Sequence, residues 1–164
     1  MQAYFACRFI QREGCCMSGQ EPILSDVAKQ VAAQRGVGAL AEKMGIQILE
    51  LSAERAVATM PVEGNTQPIG LLHGGAYLVL GETLGSFAAN VWAHPDGHAV
   101  GIEISGSHTK SATRGLVTGT ATALSLGKTL TVHEIVVTNE AGERLSTVRI
   151  TNLIRKATSR ADQE

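Results

Sequence analysis

The chain has 164 residues, 44% hydrophobic and 18% charged, which is one domain's worth and long enough to bury a single core. Fourteen Lys and Arg against fifteen Asp and Glu leave a formal net charge of −1. With no basic excess to neutralise phosphates or anionic headgroups, nucleic acids and membrane surfaces are excluded as general partners.

Residues 1–16 read MQAYFACRFIQREGCC and hold all three cysteines, Cys7, Cys15 and Cys16. An odd count, an adjacent pair and no CxxC spacing speak against a disulfide framework or a zinc site and for a reducing cytoplasm. This stretch lacks the apolar run and small-residue cleavage site of a signal peptide. It reads as a disordered extension, or as a start assigned too early with Met17 the true first residue. Residues 1–35 together form an N-terminal extension ending in a short helix. Ser25 and Asp26 cap that helix, Val27, Val31 and Gln34 mark its apolar line through Arg35, and Gly36 and Gly38 end it.

The domain proper is expected over 36–154. Ala39–Lys43 suits one more helical turn, and Ile46–Leu51 and Arg55–Met60 suit two strands joined by Ser52-Ala53-Glu54. A turn at Glu63–Thr66 leads to an extended Gln67-Pro68. Gly74–Ala93 then reads GGAYLVLGETLGSFAANVWA, a long apolar helix stopped by His94-Pro95-Asp96-Gly97. Its glycines, its central Glu82 and its lack of basic anchors distinguish it from a membrane span. From Val100 the period changes to two, and strands are expected around Val100–Ile104, Leu116–Leu124, Thr129–Thr138 and Arg144–Ile154. Residues 155–164 form a polar tail. The fold class is therefore α+β. A helix hydrophobic all round must be covered all round. A curled antiparallel sheet of about six strands, in antiparallel succession after the helix, can wrap most of it and leaves one side for a partner subunit.

Glu82 carries the strongest chemical signal. A carboxylate in the middle of an apolar helix is costly to bury ionised unless something pairs with it or uses it. Ser86 and Asn90 follow at i+4 and i+8, so the three share one stripe. His73-Gly74-Gly75 opens the same helix, where N–H groups unshielded by side chains can polarise a carbonyl oxygen. His73 and Glu82 lie nine residues apart, about 13.5 Å of rise and a half turn of rotation. They cannot meet within one chain. If both act on one group, they come from different subunits across a symmetric interface. His94, His98 and His133 have no metal-triad spacing, and no metal is expected. Tyr77 and Trp92 read as packing residues.

The run QPIGLLHGGAYLVLGETLGS, followed by VGIEISGSHTKSATRGLVTGTA and LGKTLTVHEIVVTNEAGERLSTVRIT, resembles the hotdog-fold acyl-CoA thioesterases. The likeness is to the 4-hydroxybenzoyl-CoA, phenylacetate-pathway and 1,4-dihydroxy-2-naphthoyl-CoA type, and rests on Gln-x5-His-Gly-Gly-x6-Glu from Gln67 to Glu82. It implies hydrolysis of an acyl-CoA to free acid and CoA, with an aromatic acyl group expected and a medium-chain aliphatic one left open by the residues. No cofactor is involved, because coenzyme A is part of the substrate. By resemblance, Glu82 attacks the thioester or activates water, and the Gly74 N–H polarises the carbonyl. Gln67 orients that carbonyl together with His73, and Ser86 positions the water. Gly75, His108, Lys110 and Ser111 line the pantetheine path toward the nucleotide, joined by Gly127 and Lys128. From the residues alone, Lys110, Arg114 and Lys128 are equally well ordinary surface cations. The resemblance also implies a homo-oligomer, with a dimer as minimal unit, a tetramer as full assembly and the site shared between subunits. Two other functions on this fold weigh against it. An enoyl-thioester hydratase or dehydratase relies on a His–acid pair placed differently, and a non-catalytic acyl-CoA sensor would lack Glu82.

Overall fold

The computed structural model describes residues 22–156. The expected extension over 1–16 with its cysteines lies outside the described residues, as does the expected tail 155–164 apart from Arg155 and Lys156, which continue the last strand. The chain enters at β1 (Ile23–Leu24), a two-residue strand too short for its pattern to show in the sequence. Helix α1 (Asp26–Arg35) begins where its cap predicts, with Ser25 Oγ accepting the Ala28 N–H at 3.1 Å. Its buried face is Ala28, Val31 and Ala32, whereas Val27 is half-buried and Gln34 exposed. Gly36 (φ 64°) ends it, and α2 (Ala39–Lys43) follows as a short second helix. Strands β2 (Gln47–Leu51) and β3 (Arg55–Pro61) pair antiparallel.

Helix α3 (Gly74–Ala93) keeps the boundaries read from the sequence. Four long strands come after it, β4 (Gly97–His108), β5 (Leu116–Leu126), β6 (Leu130–Asn139) and β7 (Arg144–Lys156). Among the described residues the sheet has seven strands rather than six, in the order β1-β2-β3-β5-β6-β7-β4. All pairs are antiparallel except β1 with β2. The expected succession fails at β4, which pairs with β7 at the far edge instead of with β5. Alternation predicts that a strand forms, not which neighbour it finds, and the last strand fills the gap between β6 and β4. The segment 109–115 then carries the chain across to β5. It is held by Thr109 and Lys110 N–H on the Leu145 carbonyl (2.8 and 3.2 Å) and by Leu72 N–H on Ala112 (2.8 Å).

The sheet curls around α3, burying Tyr77, Leu80, Leu84 and Ala88 against Ile135, Val148 and Ile150. A Cβ at Gly81 would stand 2.6 Å from Val148 Cγ1, and one at Gly85 would overlap Ile150. Those two glycines let the helix lie close on β7. The opposite side of α3, with Leu78, Val79, Glu82, Thr83 and Ser86, is only half-covered. Next to it, edge strand β4 leaves Val100 and Ile102 exposed (37% and 55%) and bulges between Gly101 and Glu103. Among the described residues no helix is long and apolar enough to cross a membrane.

Candidate active site

The loop before α3 sets up one half of the site. Gln67 N–H bonds the Leu71 carbonyl at 2.8 Å, and Gly70 turns at φ 80° to let the chain fold back. The loop then delivers His73 as the N-cap of α3, its Nδ1 accepting the Gly75 N–H at 2.8 Å. That bond assigns the ring proton of a neutral His73 to Nε2. It also corrects the expectation that both glycines offer free donors, since the donor of Gly75 is spent on the cap. The N–H of Gly74 has no hydrogen-bond partner among the described residues.

Gly74 faces His108 from β4. A Cβ at position 74 would lie 3.2 Å from His108 Cδ2, so glycine keeps that N–H reachable. The His108 ring stacks on Tyr77 (centroids 4.9 Å apart, planes at 24°), and its Nδ1 meets Ser146 Oγ at 2.8 Å. Ser146 in turn donates to the Ser107 carbonyl at 3.2 Å, which makes Nδ1 the protonated nitrogen of a neutral His108. Tyr77 is thus both a packing residue and the floor of this site. Burial pushes its phenol above its ordinary pKa, against an opposing pull from the Ala112 backbone. A cavity of about 450 Å³ joins Gln67, Gly74, Tyr77, His108, Lys110 and Ser111. Lys110 is held at the rim by Glu143 (2.8 Å), and this pairing, with help from Asn139, keeps the Glu143 carboxyl below the ordinary carboxylate range.

Glu82 is not in that cavity. It lies with Leu78, Val79 and Thr83 in a second, open space of about 450 Å³, lined also by Ile104 and by Val37–Ala41 of α2 and the turn before it. The half turn of helix between His73 and Glu82 thus separates them in the folded chain, as the helix arithmetic requires. Glu82 is held by its own stripe, with Ser86 Oγ 3.1 Å from Oε1. Asn90, third in that stripe, is spent on structure. Its Oδ1 accepts the Ala99 N–H at 3.0 Å and its Nδ2 donates to the Ser86 carbonyl at 2.8 Å, fastening α3 to β4.

Gly127 and Lys128 stand at the other end of α3, where Trp92 Nε1 donates to the Gly127 carbonyl at 3.0 Å. Eighteen residues of helix, about 27 Å, separate them from Gly74, so one chain does not bring them to Lys110 and Ser111. His133 is fully buried and donates from Nε2 to the Ala53 carbonyl at 2.9 Å. Burial lowers its pKa despite that bond and the nearby Glu54, so the ring is a neutral tie between β6 and the β2–β3 turn.

Two neighbours of Glu82 escaped the sequence reading. Gly101, at the bulge of β4, faces the carboxylate so closely that a Cβ there would sit 2.6 Å from Oε1. A glycine inside an alternating strand was the available signal. Asn152 on β7 is buried against Ser86, its Oδ1 3.2 Å from Oγ. A polar residue near the end of a strand gives no such signal until the register is known.

Residues 69–146 match the model of the thioesterase superfamily. The chain is 42% identical over 119 residues to a proofreading thioesterase EntH of Cronobacter turicensis, covering 72% of this chain and 87% of that one. It is 37% identical over 120 residues to the 1,4-dihydroxy-2-naphthoyl-CoA hydrolase of Escherichia coli K12, covering 73% and 88%. A crystal structure of a mutant thioesterase from Pseudomonas aeruginosa superposes with a TM-score of 0.73 at 29% identity, covering 86% of this chain and 98% of that one.

Proposed function

The chain belongs to the thioesterase superfamily, and from that premise we propose that it hydrolyses an aromatic acyl-CoA at a site built by two subunits. The observation that carries this reading is the placement of an unpartnered Gly74 N–H and the Glu82 carboxylate on opposite sides of one helix. In a symmetric pair, Gly74, Gln67 and His73 of one chain meet Glu82 and Ser86 of the other. Edge strand β4 supports the pairing, since its outer backbone has no strand partner among the described residues and Val100 and Ile102 are exposed along it. The dimer is the minimal unit, and a tetramer the full assembly.

The thioester oxygen accepts the Gly74 N–H at the positive end of α3, oriented by Gln67 and His73. Glu82 either takes a proton from a water held by Ser86 or attacks the carbonyl carbon itself. On the water route the new C–O bond forms, the C–S bond breaks, and the proton passes from Glu82 to the departing sulfur. Gly75, His108, Lys110 and Ser111 form the pantetheine path, with Lys110 exchanging Glu143 for a phosphate of the nucleotide. Gly127 and Lys128 join the same substrate only through a neighbouring subunit. No cofactor is needed beyond the coenzyme A that the substrate carries, and the cysteine usage supports a reducing, cytoplasmic setting.

The space beside Glu82 is lined by Val37, Leu40, Leu78, Val79 and Ile104 with no cationic side chain, so it suits a neutral acyl group. A second carboxylate there would be left unpaired beside Glu82. Thiol release is to be measured with benzoyl-, 4-hydroxybenzoyl-, 1,4-dihydroxy-2-naphthoyl-, octanoyl- and succinyl-CoA. The aromatic esters are expected to be fastest and succinyl-CoA slowest by at least tenfold. No release from any of the five would end the assignment.

Gly101→Ala separates position from presence. The added methyl collides with the end of a flexible side chain, Glu82 Oε1 at 2.6 Å, which can swing aside without disturbing the fold. A misplacement of about 1 Å costs on the order of a hundredfold in rate. The variant should therefore melt within a few degrees of wild type and lose roughly a hundredfold in kcat. Activity within twofold would show that the carboxylate works equally well from another position.

A further inference from the structure

Asn152 is fully buried on β7 and borders neither cavity, yet it reaches the candidate carboxylate through a single intermediary. Ser86 Oγ lies 3.1 Å from Glu82 Oε1 and 3.2 Å from Asn152 Oδ1. A hydroxyl carries one proton, so it donates to one of these acceptors at a time. The amide is assigned with Oδ1 toward Ser86 because its Nδ2 faces the Gly85 carbonyl, 3.5 Å away. Turned over, the amide would place oxygen against oxygen there. The sheet therefore holds a second acceptor beside a hydroxyl that an ionised Glu82 already engages.

We propose that Asn152 is a positioning residue that acts through Ser86, taking up the hydroxyl's hydrogen bond while Glu82 holds the proton of the attacking water. The proposal rests on Glu82 being the catalytic carboxylate and assigns it the role of base. With Glu82 ionised, Ser86 O–H donates to Oε1. When water gives Glu82 its proton on Oε1, the new O–H donates to Ser86 Oγ and the Ser86 hydroxyl must turn to Asn152 Oδ1. When the proton settles on Oε2 instead, Oε1 becomes a neutral carbonyl, a weaker acceptor than the amide oxygen, and the hydroxyl turns as well. Once the proton passes to the departing sulfur, the hydroxyl swings back. Ser86 keeps its own proton throughout, so the hydrogen count balances. Without Oδ1, the half-buried hydroxyl loses the acceptor that β7 holds ready for it, and the protonated state of Glu82 is disfavoured. If Glu82 attacks the carbonyl directly, it never carries a proton and this second acceptor has no task.

The test is a double-mutant cycle on the acyl-CoA that releases thiol fastest in the panel above. Asn152→Leu fills the same space without polar atoms, and Asn152→Ala covers the case in which leucine does not fold. Each folded variant should lose roughly tenfold in kcat with KM within twofold of wild type. In a Ser86→Ala background, the same change should cost less than twofold, because the residue through which Asn152 acts is already gone. A purely structural role would lower the melting temperature and multiply with Ser86→Ala. Wild-type kcat in a folded Asn152 variant, or a further tenfold loss in the Ser86→Ala background, overturns the proposal. Glu82→Gln in the same series separates the two readings. If it is inactive while Asn152 is silent, only the Asn152 role falls. If it is fully active, the assignment of Glu82 falls and takes this role with it.

Discussion

Glu82→Gln is expected to fold and melt like wild type and to hydrolyse its substrate at least about a thousandfold more slowly. The substitution is isosteric, and the Ser86 hydroxyl that donates to Oε1 at 3.1 Å can donate equally to an amide oxygen. Gly101 leaves space for either head group, so no steric reason exists for the fold to react. What changes is the chemistry. An amide neither accepts a proton from water at neutral pH nor attacks a thioester carbon, so both routes open to Glu82 close together. General-base assistance is worth on the order of a hundred- to ten-thousandfold, and its loss belongs in kcat, with KM little changed because the CoA path lies elsewhere. The measurement is kcat and KM by thiol release, with circular dichroism and a melting curve on the same sample. Hydrolysis at the wild-type rate by a folded Glu82→Gln protein would move the catalytic role to another residue.

The parts of this site that were legible in the sequence are those governed by one segment at a time. Helix α3 begins at Gly74 and stops at Ala93 as read, because its cap, its apolar run and the Pro-Asp-Gly after it are all local. The half turn between His73 and Glu82 follows from helix geometry alone, and the structure accordingly places Gly74, the residue after His73, and Glu82 on different cavities. What stayed hidden depends on pairs of segments. β4 has an unmistakable alternation, but only its pairing with β7 makes it an edge strand and leaves Val100 and Ile102 uncovered. Gly101 and Asn152 are register partners, and both converge on Glu82 and Ser86. Gly101 signals a close approach from its place in an alternating strand but not what approaches it, and Asn152 gives no signal at all from its neighbours along the chain. The cap bond from Gly75 to His73 is a subtler case, since the sequence shows two glycine donors but not which one the histidine consumes.

Mixing two damaged chains is expected to restore activity that neither chain has alone. Gln67→Ala removes a side chain on the Gly74 cavity and Glu82→Gln disables the carboxylate on the other, so each homodimer carries the same lesion in both sites. In a mixed dimer with shared sites, one site draws Gln67 from the altered chain and Glu82 from the other altered chain, and is doubly damaged. The second site draws both residues from the unaltered copies and is intact. Random assortment makes half of the dimers mixed, so roughly a quarter of all sites should recover, with kcat per site unchanged from wild type. A tetramer built from such dimers gives the same fraction. The measurement requires true exchange, established by co-purification of differently tagged chains after joint refolding, and then thiol release from the mixture against each parent. Were each site built within one chain, every site would carry one lesion and exchange would change nothing. Activity equal to the sum of the parents after proven exchange would therefore rule out the shared site. Recovery near a quarter of wild type would place Gln67 and Glu82 of different chains on one substrate.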